Sequence, residues 1–120
     1  MNVTVTAGDI VIVDWRDALP KEANKQRPAI VVEDSDLFDA AYPNVILVPL
    51  TDDPKLIMPS LSVPIAPTRE NGCSKASWAI AHHVTATSKQ RIRTTTSRIT
   101  NAQLAEIRRR IALSIGIDGG

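Results

Sequence analysis

Asp9-Ile10-Val11-Ile12-Val13-Asp14-Trp15 and, further on, Pro28-Ala29-Ile30-Val31-Val32-Glu33 decide the fold. Both runs are short, rich in β-branched residues and bounded by turn residues, the pattern of strands. Gly8-Asp9 turns into the first strand, expected over Ile10 to Trp15. Pro opens the second, where its missing N–H costs least. Apolar character is nearly continuous, so each strand is buried on both faces or forms a barrel wall that a partner covers. The segment between them, Arg16 to Gln26, is polar and long for a connection inside a compact domain; such loops are functional or unstructured. It ends in Arg27, and Pro28 pushes that residue towards extended geometry. An Arg held this way at the mouth of a strand suits a phosphate or carboxylate.

Outward from this pair, the remaining chain reads as more short strands. Met1 to Ala7 is an irregular arm. Asp34 to Ala41 makes a turn of helix capped by Asp34 or Ser35. Asn44 to Leu50 is a third strand, followed by a turn at Asp52-Asp53-Pro54 and a loop from Lys55 to Ser60. Leu61 to Ala66 is an edge strand, because Pro64 interrupts it. A polar turn surrounds Asn71-Gly72, Ser77 to Val84 is a fifth strand, Thr87 to Gln90 a short connection, and Arg91 to Thr100 a last strand. Thr100 with Gln103 forms a capping box. Leu104, Ile107, Ile111 and Ile115 then recur at helical spacing, and Gly116 supplies the stop. Short strands with one terminal helix predict a mainly β chain: a small antiparallel barrel with a helix packed on it.

With 120 residues, 43% apolar and 22% charged, the chain is expected to be one globular domain over 1–120. Aromatics are 3%, so the core is aliphatic. Oligomerisation would help so small a body bury surface. Cys73 is the one cysteine, which excludes an internal disulfide and fits a reducing compartment. No run is long enough to span a bilayer and no signal peptide is visible, so a cytoplasmic location is expected. The net charge of +1 does not by itself indicate nucleic acid. Its distribution is more informative. Lys89, Arg91, Arg93, Arg98, Arg108, Arg109 and Arg110 face only Glu106 in their segment, whereas Glu33 to Asp53 holds acids and no base. One face therefore attracts anions and another repels them.

Each candidate for chemistry has a plainer reading beside it. Arg27 is a phosphate-binding cation, or a loop Arg paired with Glu22 or Asp17. Thr51 binds a phosphate oxygen, or bonds local backbone in its turn. His82 and His83, as strand neighbours, would point to opposite faces, so one at most can face a site as acid or base; otherwise one packs in the wall and one is solvated. Arg108 to Arg110 read as a solvated helix face, with anion binding as the alternative. Cys73 beside Lys75 lacks a clear base and reads as inert. Two adjacent His and a distant Cys match no metal-ligand spacing, and Asp52-Asp53 reads better as a solvated turn than as a Mg²⁺ site. Neither a nucleophile elbow nor a Gly-rich phosphate loop is present. No metal and no cofactor are expected.

Gly8 to Trp15, then a loop containing Glu22, then Arg27-Pro28-Ala29-Ile30-Val31-Val32, resembles the opening of MazF/PemK-type toxins. The likeness continues through Val45-Ile46-Leu47-Val48-Pro49-Leu50-Thr51, the strand from Ser77 to Val84, and Ile99-Thr100-Asn101-Ala102-Gln103-Leu104. It spans nearly the whole chain, and the ordered series Gly-Asp, Arg-Pro, Pro-x-Thr carries it. The resemblance implies an SH3-like barrel with a C-terminal helix, a homodimer, and a sequence-specific, metal-independent endoribonuclease that cuts single-stranded RNA and is neutralised by a cognate antitoxin. Arg27 matches the family's catalytic Arg, Thr51 its catalytic Thr, and Glu22 a loop acid of some members. His82 and His83 stand where many members carry an acid, or Asp then Gln, and Thr85 where many carry Arg or Lys. The expected site is therefore Arg27, Thr51 and His82 for catalysis, His82 as base, with Glu22, Lys25, Gln26, His83 and Thr85 holding RNA. The rival readings are a gyrase inhibitor of the same fold and an inactive scaffold that binds an antitoxin.

Overall fold

The computed structural model describes residues 4–15 and 26–117. Within them lie seven strands, β1 (Asp9–Asp14), β2 (Gln26–Val31), β3 (Asn44–Thr51), β4 (Ser62–Ile65), β5 (Ser77–Ile80), β6 (Thr85–Ser88) and β7 (Ile92–Arg98), followed by one helix, α1 (Asn101–Ser114). All strand pairings are antiparallel. The order is β4-β5-β3-β2-β1-β7, with β6 paired to β3 as a branch. The expected barrel is thus a curled sheet that keeps two ends, β4 and β7, rather than a closed ring. Pro64 sits in terminal β4, where a Pro does least damage.

The strands at the centre bury both faces, as their unbroken apolar sequence requires. Val11, Val13, Ala29, Val31, Val45 and Leu47 point one way and form one core with Ile92. Ile10, Ile30, Val32, Val48 and Leu50 point the other way and form a second core with Val63, Ile65, Ala79, Ala81 and Ile99. Helix α1 closes this second layer with Leu104 and Ile107, both buried. Each such aliphatic side chain contributes about 1.5–3 kcal/mol by leaving water.

The helix begins and ends as its sequence dictates. Thr100 Oγ1 accepts from Gln103 N, and Gln103 Oε1 accepts from Thr100 N, so the capping box is complete. At the other end Gly116 takes φ +88°, and Ile117 N–H and Gly116 N–H bond the carbonyls of Ala112 and Leu113. This is a Schellman stop. The apolar stripe is shorter than its spacing suggests: Ile111 is half-buried, and Ile115 is 64% exposed beyond the edge of the sheet.

Two further expectations change. The predicted solvated face at Arg108 to Arg110 is in fact a clamp. Arg108 donates to the carbonyls of Val32 (3.0 Å) and Glu33 (2.8 Å) just past β2, and Arg110 to those of Pro59 and Ser62 at β4. Glu106 pairs with Arg109 and Arg110, which holds its carboxyl down at about 2. The fifth strand stops at Ile80. Ala81–His83 form a 3-10 turn packed against α1, and the chain restarts as β6. The reason is a change of partner along β3. Its C-terminal end pairs with β5 through Leu50 and Thr51, whereas its N-terminal half, Asn44 to Leu47, pairs with β6. The turn carries the chain from one to the other.

Candidate functional site

Helix α1 covers only part of the second face. Beyond it a cleft of about 530 Å³ opens over half-buried Ile12 and Pro28 and the edges of buried Ile10 and Leu50. Three pieces of local structure build its rim.

The first is the end of the β2–β3 ladder. The last pair is Ala29 with Pro49; beyond it β3 pairs with β5 through Leu50 and Thr51, and β2 continues on β1, with Arg27 opposite Val13. Arg27 and Thr51 both line the cleft. Thr51 Oγ1 accepts from Asp53 N at 3.1 Å, the turn bond its sequence suggested, and the hydroxyl proton stays free to donate outward. Arg27 is exposed and gives one N–H to the Gln26 carbonyl at 3.2 Å, which leaves most of its fork for a ligand.

The second is an irregularity between β1 and β7. The register shifts between Asp9 and Val11, so extra β7 residues stand opposite Ile10. Thr95 Oγ1 donates to the Ile10 carbonyl in place of a ladder bond, and accepts from Ser97 N at 3.0 Å. The bulge turns Thr95 and Ser97 into the cleft.

The third is the loop between β4 and β5. It crosses to β7, where Arg98 N–H bonds the Glu70 carbonyl, and then returns. Buried Asn71 pins it: Oδ1 accepts from Thr68 N and Cys73 N, and Nδ2 donates to the Ala66 carbonyl at 2.8 Å. Gly72 has φ +66°, and a Cβ there would lie 2.5 Å from Ser97 Oγ. Only glycine fits both demands. The loop delivers Asn71, Gly72, Cys73, Ser74 and Lys75 to the cleft wall, and Ser77 follows. Asn71-Gly72 was legible as a turn, but nothing local said what it would face.

Charge in the cleft is mostly positive. Lys75 forms an ion pair with Asp52, next to Thr51. The Lys75 ammonium, and more weakly Arg27, holds the Asp52 carboxyl below its ordinary range, so it stays ionised and weakly basic. Burial pushes the Cys73 thiol up, away from the thiolate a nucleophile needs. Among the described residues, no three of His, Cys, Asp and Glu are grouped to hold a metal ion.

The structure brings Arg27 and Thr51 together, with Lys75, Asp52 and a ring of hydroxyls that sequence reasoning did not place there. It does not bring His82, His83 or Thr85 to them. Strand β5 meets Thr51 at Trp78 and runs away antiparallel, so the Ala81–His83 turn stands roughly 10 Å farther along, beside α1. Among the described residues His82 Nδ1 is buried without a hydrogen-bond partner, and the two rings meet edge to face at 4.6 Å. Burial, and secondarily His83, lowers the His82 pKa. This removes the reason for giving His82 the base's role in the cleft. Thr85 opens β6 opposite Leu47. Gln26 lies at the start of β2, in a smaller recess of about 180 Å³. Glu22 and Lys25 lie outside the described residues.

With this geometry in place, comparison with known proteins is direct. Residues 6–115 match the family described as PemK-like, MazF-like toxin of type II toxin–antitoxin system. No curated protein sequence matches. Among solved structures, MazF from Deinococcus radiodurans superposes with TM-score 0.74 at 19% identity, covering 97% of this chain and 100% of that one. An endoribonuclease in complex with its cognate antitoxin from a mycobacterial species gives 0.71 at 16%, covering 94% and 96%. The Mycobacterium tuberculosis toxin MazF-mt6 gives 0.71 at 15%, covering 92% and 98%. At such identities these structures establish a shared fold.

Proposed function

The chain belongs to the PemK-like, MazF-like toxin family of type II toxin–antitoxin systems, and from that premise we propose that it is a sequence-specific endoribonuclease cutting single-stranded RNA without a metal ion. One observation carries the reading: Arg27, at the start of β2, and Thr51, at the end of β3, line one cleft together with Lys75 and several hydroxyl side chains.

Cleavage needs the RNA 2′-hydroxyl to give up its proton, here to water, as its oxygen attacks the adjacent phosphorus, while the bond to the 5′-oxygen breaks and that oxygen takes a proton from water. Charge accumulates on the non-bridging oxygens as it does so. Fixed donors aimed at that charge are the largest single source of acceleration in sites of this kind. The Arg27 guanidinium matches the phosphate in shape and opposes it in charge. Thr51 donates its hydroxyl to a phosphate oxygen and orients the scissile group. Lys75 adds a second cation once phosphate competes with Asp52 for it. With Asp52 weakly basic and His82 elsewhere, the cleft acts chiefly by stabilising charge. Glu22, Lys25 and Gln26 are carried as RNA contacts on the family likeness. A cognate antitoxin as partner follows from the family and from relatives solved with theirs; a homodimer follows from the family likeness.

The test is incubation of the purified protein with a mixed RNA in EDTA, with the fragment ends mapped. Discrete fragments sharing a sequence at their ends are expected. RNA left intact, at a protein concentration that arrests growth on expression, would point instead to a toxin that acts without cleavage.

A further inference from the structure

The strongly basic β7 region is left unexplained by the cleft. The smaller recess continues the cleft along the same sheet face: Ile12 lines both, and beyond it stand Asp14, Gln26, Gln90, Arg91, Ile92 and Arg93. Register accounts for the continuity. Arg93 is paired with Ile12, and Ile12 with Pro28, so the three lie in one row across β7, β1 and β2. Arg93, Thr95 and Ser97 are alternate residues of β7, and the last two already line the cleft.

Arg93 is exposed at the end strand of the sheet, and among the described residues it has neither an ion pair nor a side-chain hydrogen bond. Asp14, Gln26 and Arg91 in the same recess have partners of their own. The positive charge most available there is therefore Arg93. It lies two strands from Arg27, roughly 10 Å away, a step of a nucleotide or two along an unstacked chain.

We propose that Arg93 binds a backbone phosphate of the RNA outside the scissile position, so that the strand crosses β1 over Ile12 and is held at both ends of one groove. This rests on the ribonuclease reading above. It makes Arg93 a positioning residue: it anchors and registers the chain, and touches none of the reacting atoms.

The experiment uses an RNA bracketing the mapped cut, together with a copy carrying 2′-deoxyribose at the cut for equilibrium binding. Arg93→Gln is expected to raise KM several-fold on the long RNA and to reduce the slope of log affinity against log salt by about 0.7, the loss of one single-strand phosphate contact. Truncating the RNA on the side that reaches Arg93 should produce the same loss in the wild type, and truncation and substitution should not add. Arg93→Lys should restore part of the loss. Arg109→Gln, which removes the same charge from an exposed position on α1 that lines neither recess, should leave the slope in place. A wild-type slope in Arg93→Gln, or losses that add, overturns this inference while the nuclease stands. A wild type that neither binds nor cuts overturns both.

Discussion

One sheet face ends in two ways. At one end, Ile30, Val32 and Val48 lie under Leu104 and Ile107, and Arg108 ties the helix to the carbonyls beyond β2. At the other, Ile12, Pro28 and Leu50 continue the same rows, but a short loop and a bulge stand around them instead of a helix over them. The residues beneath are alike in being apolar and held in register. What differs is the cover. A helix makes the face into core, and its absence makes the same face a floor for hydroxyls and cations. The arginines follow the division. Arg108 and Arg110 spend their donors on backbone carbonyls at the closed end, while Arg27 and Arg93 keep most of theirs at the open one.

If the two ends are separable, substitutions should split activity from stability. Arg27→Ala should lower the rate of RNA cleavage by about 10²–10³-fold while the urea midpoint stays in place. Cleavage at the wild-type rate would remove Arg27 from the chemistry. Ile107→Ala, fully buried at the closed end, should cost about 3 kcal/mol in urea unfolding, with cleavage per folded molecule unchanged. A fall in kcat under folding conditions would show that the helix shapes the cleft after all. Gly72→Ala lies on the boundary, since its loop walls the cleft and rests on β7. The positive φ and the contact with Ser97 should together cost about 1–2 kcal/mol and lower activity as well, so a loss of only one would assign the loop to one end.

The smallest effect concerns His82, beside the helix. Its imidazole is held neutral by burial, so its pKa is depressed below the ordinary 6.5. The unfolded chain therefore takes up the proton first, and stability present above pH 6.5 is lost as the pH falls below it. Melting temperature should drop between about pH 7 and 5, and His82→Gln should flatten that drop without a matching change in the pH profile of cleavage. A cleavage profile that lost an inflection near neutrality in this variant would return His82 to the site.

Local signals were enough wherever one element explains itself. β1 to β3 follow from their apolar runs, with ends displaced by a residue or two, and α1 follows from Thr100, Gln103 and Gly116. Signals failed where the explanation lies in another part of the chain. Ser77 to Val84 reads as one strand because nothing in it announces that β3 changes partner at its middle. Thr85 to Ser88 is too polar to suggest β6, and it forms because Asn44 to Leu47 offer it a ladder. Of the residues lining the cleft, Arg27 and Thr51 stood out as candidates in the sequence, while Lys75, Asn71, Gly72, Thr95 and Ser97 needed the loop's crossing to β7 and the bulge. The placing of His82 failed together with the strand it was placed on.

The ladder between β1 and β7 joins the first strand to the last, with Asp9 held to Arg98. Ile12 and Thr95 stand far apart in the sequence, yet both are walls of one cleft. A pairing so distant in sequence closes slowly and late in folding. Arg27 and Thr51 can be in place without β7, but the wall that carries Thr95 and Ser97 cannot, so the cleft is complete only once β7 has paired with β1.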